Sequence, residues 1–304
     1  ISPRLRRPNE ESGAMLILAL WALLLLSAAV FAWVKFLDAE ISVGSEANLG
    51  LEAKALAHTG VAVALHPLVS QQTALLSDTL APERSYKATL VGEGGKLNLN
   101  WLLAGEDPKH RELLKNFLSR AGLGFEEQDV LIDCLLDWVD PDATKHLNGM
   151  EESPDYHPPN RPLQSLDEVA QVHGSKPLVS QPDWRNYFTL LSQGPIDLTS
   201  APVEVLRAVP GIGDARAARF LQIRQGPDGK DGTKDDHIFK DVGEVRSFLG
   251  FSEQQFQELA GLVTMKDPTV HITSEGRAGK VYRQIEVVAR KVSGNPNILL
   301  WKEF

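Results

Sequence analysis

The longest apolar run comes near the start. From Ala14 to Val34 the sequence AMLILALWALLLLSAAVFAWV carries no charge over 21 residues, and Ser27 is its only hydroxyl. At ~1.5 Å rise per residue, a helix of that length crosses a hydrocarbon slab ~30 Å thick. Beyond Lys35 the chain continues as FLDAEISVGSEANLGLEAKALAHTGVAVALHPLV, Ala/Leu-rich and free of proline until Pro67. The pattern predicts one helix of roughly 50 residues, half in a membrane and half outside. In the outer half Leu49, Ala53, Leu56 and Val63 recur at steps of four, three and seven, so one face packs on a globular part.

Two stretches alternate instead. SYKATLVGEGGKLNLNWLL, residues 85–103, reads as a strand, a turn at Gly94-Gly95 and a short strand rich in Asn. The tail segments TVHITSEG, KVYRQIEVVARKV and NILLWKEF alternate too, with turns at Gly276, Gly279 and Gly294-Asn295-Pro296. Together they predict one antiparallel sheet packed on the long helix. From about 105 to 266 the pattern changes to short helices and loops with weak repetition. LGFEEQDVLIDCL aligns with LGFSEQQFQELAG, while LDEVAQVHG, PVEVLRAVPG and VGEVRSFLG each place Glu-Val in a helical turn that ends in Gly. The expected class is α+β: a leader at 1–13, a membrane helix at 14–34, a long helix and first strands at 35–104, an inserted all-α unit at 105–266, and closing strands at 267–304. The insert divides at about 195/196. Its sharpest element is IDLTSAPVEVLRAVPGIGDARAARFLQIR, in which Gly211-Ile212-Gly213 makes a helix hairpin.

Charge and cysteine content narrow the classes. The 304 residues hold 31 Lys+Arg against 40 Asp+Glu, a net charge of −9, which disfavours a polyanion as partner. A lone Cys134 excludes an internal disulfide and a thiolate zinc site. The backbone amides of the Gly211–Gly213 hairpin could hold a phosphate, as helix N-termini do, with Arg207, Arg216, Arg219 and Arg224 nearby to supply charge. The flanking Asp214 and the lack of interleaved aromatics oppose that use. Ten of the 40 acids sit in two loops. The first, DWVDPDATKHLNGMEESPDYHPPNRP, offers Asp137, Asp140, Asp142, Glu151, Glu152 and Asp155; Asp137 belongs either to this set or to the preceding helix. Like charges this close call for a cation or a set of donors, and an all-oxygen set favours calcium. His146 and His157 read as solvated loop residues. The second loop, GPDGKDGTKDDH, offers Asp228, Asp231, Asp235 and Asp236, as a second calcium set or as a solvated Asp/Gly turn whose Lys230 and Lys234 share the neutralisation. It lacks the twelfth-position Glu of an EF-hand. There is no Gly-x-Ser-x-Gly elbow, phosphate loop, His-Glu-x-x-His or Cys-His pairing. Glu151 and Glu152 are the nearest thing to a hydrolase pair, so no enzyme is expected.

Three readings of the N-terminus compete: a secretory signal, a plain anchor, and a leader cut ahead of the apolar run. Arg4, Arg6 and Arg7 hold that end in the cytoplasm under any of them that keeps the span. The apolar run is longer than a secretory signal needs. The junction Gly13–Ala14-Met15-Leu16, followed by a long helix, resembles the type IV pilins and pseudopilins, which prepilin peptidase cuts after such a Gly. Most members carry Glu as the fifth residue after the cut, where Leu18 stands here. In the family that glutamate is thought to pair with the amine of the subunit above it; a buried unpaired carboxylate is costly, so Leu18 suits a subunit with nothing above.

Glu93, Gly95, Lys96, Asn98 and Asn100, together with the D-W-[IV]-D-x-D…G-x-E-[DE]…Y…N-[RK]-P pattern at 137–162, resemble the protein K family of type II secretion minor pseudopilins over nearly the whole chain. The resemblance implies a pilin fold with a SAM-like helix-hairpin-helix insert, leader removal between Gly13 and Ala14, and methylation of the new N-terminus. It implies calcium on Asp140, Asp142, Glu151, Glu152 and Asp155, with Tyr156 and Asn160 shaping the loop. Expected partners are the minor pseudopilins I and J, the major pseudopilin and prepilin peptidase, with secreted substrates or the outer-membrane secretin as further contacts, and no nucleic acid. The expected place is the pseudopilus tip, anchored once in the inner membrane of a Gram-negative bacterium with a periplasmic head. A membrane-anchored DNA receptor and a membrane-tethered hydrolase are the alternatives.

Overall fold

The computed structural model describes the backbone of residues 10–292 and 295–304, and side chains over the same ranges except 10–14 and 37–46. The leader arginines lie outside the described residues. Helix α1 runs from Glu10 to Leu65, 56 residues. Its stretch Met15–Phe36 is long and apolar enough to cross a membrane and is not covered by other described residues. The outer part forms one wall of a core. Ala53, Leu56, Ala57, Val61 and Ala64 are buried, whereas Leu49 and Val63, expected on the same face, are half-buried.

That face lies on an antiparallel sheet. Its strands are β1 (Ser77–Ala81), β2 (Arg84–Gly92), β7 (Thr269–Ala278), β8 (Val281–Arg290) and β9 (Asn297–Glu303), in the order β1-β2-β7-β8-β9. Alternation puts Tyr86, Ala88 and Leu90 on the α1 face of the sheet, with Ile272, Ile285, Val287 and Ala289. Helix and sheet approach closely because the contact is made of small residues. A Cβ on Gly60 would collide with Ser274, and one on Gly276 with the backbone of Ala53 and Ala57. Ser274 Oγ donates to the carbonyl of Ala57 at 2.8 Å. Lys291, just past β8, reaches back to the end of α1, its Nζ donating to Ala64 O at 2.9 Å and Val69 O at 2.7 Å.

Residues 93–103 depart from the expected hairpin. Glu93–Gly95 form a 3-10 turn, Leu97–Asn98 is β3, and Leu99–Leu103 is helix α2. β3 leaves the main sheet and pairs in parallel with β4 (Phe188–Thr189). Asn98 makes the difference: its side chain accepts from Trp101 N, capping α2, and donates to Ser192 O. Gly94 and Gly95 are required for packing, since a Cβ on either would strike Asp267 or the Ser200–Ala201 backbone.

The helical unit follows with α3 (Pro108–Arg120), α4 (Phe125–Val139), α5 (Lys176–Val179), α6 (Val203–Ala208), α7 (Gly213–Arg224), α8 (Val242–Leu249) and α9 (Glu253–Glu258). One apolar core runs through it from Leu97 to Leu262, so it takes in residues ahead of 105. It is not purely helical. Besides β3 and β4 it holds a parallel pair, β5 (Ile196–Asp197) with β6 (Val263–Thr264), and LDEVAQ at 166–171 is a 3-10 turn, not an α-helix. A polar seam joins it to the sheet. Buried Glu93 lies 2.9 Å from Lys96 Nζ and 3.4 Å from His271 Nδ1, and His271 Nε2 is 2.9 Å from Glu286.

Candidate metal centre

Helix α4 carries two acids in an otherwise apolar run, LIDCLLDWV, four residues apart and therefore on one face. Both are buried. Asp133 takes Arg111 at 2.6 Å and both the backbone and side-chain N–H of Asn148. Asp137 takes the His146 backbone N–H at 3.0 Å and its ring Nδ1 at 2.5 Å. The two acids thus hold the loop 146–149 against the helix. Gly149 passes so near Asp137 that a Cβ there would strike the carboxylate. The buried Cys134 faces the same loop, and burial, followed by the charges of Asp137 and Asp133, pushes its thiol up to about 12. It is an inert core residue.

Four buried side-chain oxygens of this loop have no hydrogen-bond partner: Asp137 Oδ2, Asp140 Oδ1, Glu151 Oε1 and Asn160 Oδ1. Unsatisfied buried acceptors are uncommon and costly. Burial raises the carboxyl pKa of Asp140, helped by the charges of Asp142 and Asp137; burial likewise raises Glu151, helped by Asp137, Asp140 and Asp142. Both shifts describe negative charge crowded with too little compensation. At His146, burial works against protonation, but hydrogen bonds to Asp137 and Glu106 outweigh it and raise its pKa. Asn160 adopts a left-handed backbone at φ 48°, from which its side-chain N–H₂ donates to Asp142 O at 2.7 Å. Asp137, Asp140 and His146 each bring a ligand atom within 4.8 Å of the others, and the surrounding oxygens suit a hard divalent cation.

The expected residues fall in three places. Asp140 and Glu151 contribute orphaned oxygens. Asp142 stands at the rim, with Oδ1 accepting from Thr144 N at 2.7 Å. Glu152 is exposed and 3.2 Å from His157, and Asp155 is exposed; neither contributes an orphaned oxygen. Glu151 and Glu152 therefore do not form a facing pair. Tyr156 packs on Trp138, with ring centres 5.9 Å apart, and its hydroxyl accepts from His173 N. His146 is not a solvated loop residue. Asp137, whose side chain is fully buried, was left in the sequence between the acidic set and the preceding helix, and Asn160 was legible only as a loop shaper. The signal for Asp137 was a charge on the apolar face of α4.

The second loop is arranged differently. Oxygens of Asp228, Asp235 and Asp236 gather within 4.8 Å, but backbone donors already serve them. Asp235 takes Asp228 N, Asp236 takes Gly232 N and Thr233 N, and Asp228 takes Lys230 N. Asp231 is apart from them, paired through both oxygens with Arg224 at 2.9 and 3.0 Å. Arg224 is itself buried, with Nη1 donating to Leu198 O and Ala201 O. Of the other hairpin arginines, Arg216 donates to Gly211 O at 2.6 Å and lies over Phe251, and Arg207 pairs with Asp214. Asp214 sits in the first turn of α7 and also takes Arg120. Three of the four hairpin arginines are thus engaged internally, and Arg219 alone is exposed with no ion pair among the described residues, which gives little support for phosphate binding.

On α1, Leu18 is exposed within the apolar stretch. The junction at Gly13 and Ala14 lies in the part of α1 whose side chains are outside the described residues.

Comparison with known proteins adds a second line. Residues 95–182, which contain the whole acidic loop, match the family model for the first domain of type II secretion system (T2SS) protein K. A chain in the crystal structure of the GspK-GspI-GspJ complex from the enterotoxigenic Escherichia coli type 2 secretion system shares the fold, with a TM-score of 0.59 and 16% identity, over 88% of this chain and 98% of that one. No curated protein matches the chain in sequence.

Proposed function

Taking as premise that residues 95–182 are a type II secretion system protein K domain, we propose that the chain is a minor pseudopilin that starts pseudopilus assembly with other minor pseudopilins, so that folded proteins leave across the outer membrane. The family match across the acidic loop carries this reading. It is a scaffold and not an enzyme. The pilin-like half, α1 on an antiparallel sheet, supports it, as does a neighbour structure described as a complex of GspK with GspI and GspJ. Leu18 at the position of the filament glutamate and the bulk of the helical unit support a place at the tip. We assign that unit to the SAM-like class on its α6–α7 hairpin, where Gly211 and Gly213 take φ of 78° and 62°. The span Met15–Phe36 anchors the chain once in the inner membrane, with the leader cytoplasmic and cut after Gly13 by prepilin peptidase, and the head periplasmic.

Calcium belongs to the same reading. Asp137, Asp140, Glu151 and Asn160 would hold it through the oxygens that lack partners, with Asp142 at the rim. A bound divalent cation neutralises the carboxylates and fixes the loop. The residues of the chain do the rest: Asp133 and Asn148 tie the loop to α4, and Tyr156 closes it against Trp138. At the second loop Asp228, Asp235 and Asp236 already have donors, so a cation there gains less.

Co-expression of the full chain with minor pseudopilins I and J, followed by purification in mild detergent, tests the assembly reading. A ternary complex is expected. A chain that elutes alone in their presence would remove it.

A further inference from the structure

Asp137 uses its two oxygens differently. Oδ1 accepts from the His146 backbone N–H at 3.0 Å and lies 2.5 Å from the ring Nδ1, while Oδ2 is buried without a partner. The same imidazole lies 3.8 Å from Asp140 Oδ2, and it is the other oxygen, Asp140 Oδ1, that is orphaned. On the far side, His146 Nε2 is 3.4 Å from Glu106 Oε2. Glu106 ends the 3-10 turn Ala104–Glu106 with a left-handed backbone at φ 51°. The ring thus stands between Asp137 and Glu106, and on Asp137 the oxygen it leaves is the one without a partner. A carboxylate rotates broadly about its last torsion; that of Asp137 is fixed by the His146 imidazole together with the backbone N–H of the same residue.

The geometry points to His146 as the positioning residue of the cation site: its Nδ1 is taken up by Asp137, so that it does not ligate but turns Asp137 so that Oδ2 faces the ion. This rests on the calcium reading above. Ligand carboxylates that are hydrogen-bonded behind the metal lose about 10- to 100-fold in affinity when that support is removed. Glu106 in turn sets the ring.

Titration of the chelator-stripped full chain in detergent with calcium alone, by calorimetry, measures this. His146→Ala is expected to weaken calcium binding about 10- to 100-fold, with little change in the melting temperature of the calcium-free chain. His146→Asn, which keeps a side-chain N–H near the place of Nδ1, should recover most of the affinity, and Glu106→Gln should lose a smaller amount. Affinity in His146→Ala equal to wild type, or higher because the imidazole competes with the ion, overturns the proposal. So does a loss that His146→Asn does not recover. If His146→Ala does not fold, His146→Asn and Glu106→Gln carry the test, and unchanged affinity in Glu106→Gln with no recovery in His146→Asn overturns it. A wild-type chain that binds no calcium removes the calcium reading itself. Asp137→Asn separates the two, because it abolishes binding at this loop whatever His146 does.

Discussion

Gly95 lies so close to the Ser200–Ala201 backbone that no side chain fits between them, although its own φ is unremarkable. Gly95→Ala should cost about 1–3 kcal/mol through forced displacement, read as a lower midpoint in denaturant. Its neighbour Glu93 gives the seam an acid sensitivity. Burial alone would raise the Glu93 pKa, but the hydrogen bond from His271, the charge of Lys96 and the Thr189 hydroxyl bring it below the usual glutamate value. A carboxyl with a depressed folded pKa stabilises fully above its unfolded value, ~4.3, and that contribution fades as pH falls through the folded one. Glu93→Gln should therefore flatten the decline of melting temperature between about pH 5 and pH 3, followed by scanning calorimetry. In the sequence Glu93, Gly95 and Lys96 were visible as a motif without a physical role; packing and charge at a seam supply one. Arg224 is visible in the sequence only as charge near the Gly211–Gly213 hairpin, and nothing in its local sequence announces that Leu198, Ala201 and Asp231 enclose it.

At the level of elements, periodicity told most where one face is buried and the other wet. β7 and β8 alternate and were legible, and so was the length of α1. β1 has no buried residue, so its sequence SDTLA carries no alternation to read. β3 and β4 are two residues each and pair across about ninety positions of sequence, which no local pattern encodes. The α1–sheet contact makes its own prediction. α1 has no basic residue in its last turn, and Lys291 from the sheet supplies the charge and the donors for its end. Lys291→Met should lower stability by about 1.5–3 kcal/mol, while Gly276→Ala, which drives a methyl into the α1 backbone, should unfold the pilin half at a lower temperature than the helical unit. Separate transitions in tryptophan fluorescence and circular dichroism would register it.

For the whole molecule, the acidity of −9 has a local concentration. If calcium occupies the orphaned oxygens, adding it at ~100 times its dissociation constant should stabilise the chain by ~2.7 kcal/mol, raising the melting temperature, and chelator should reverse the gain. Asp137→Asn should abolish the response; a melt indifferent to calcium in the wild type would exclude the site. The general location of this site was readable from acid density, but its inner members were not, because Asp137 is presented by a helix face and Asn160 by a backbone twist. Helix α1 holds both the stretch long and apolar enough to cross a membrane and a wall of the core, fastened there by Ser274, Lys291 and the Glu303 pairs with Lys54 and His58. The helix is continuous from the apolar stretch to the sheet. At ~1.5 Å per residue, such a rod carries any displacement of the apolar stretch along its axis to the sheet without a joint to absorb it.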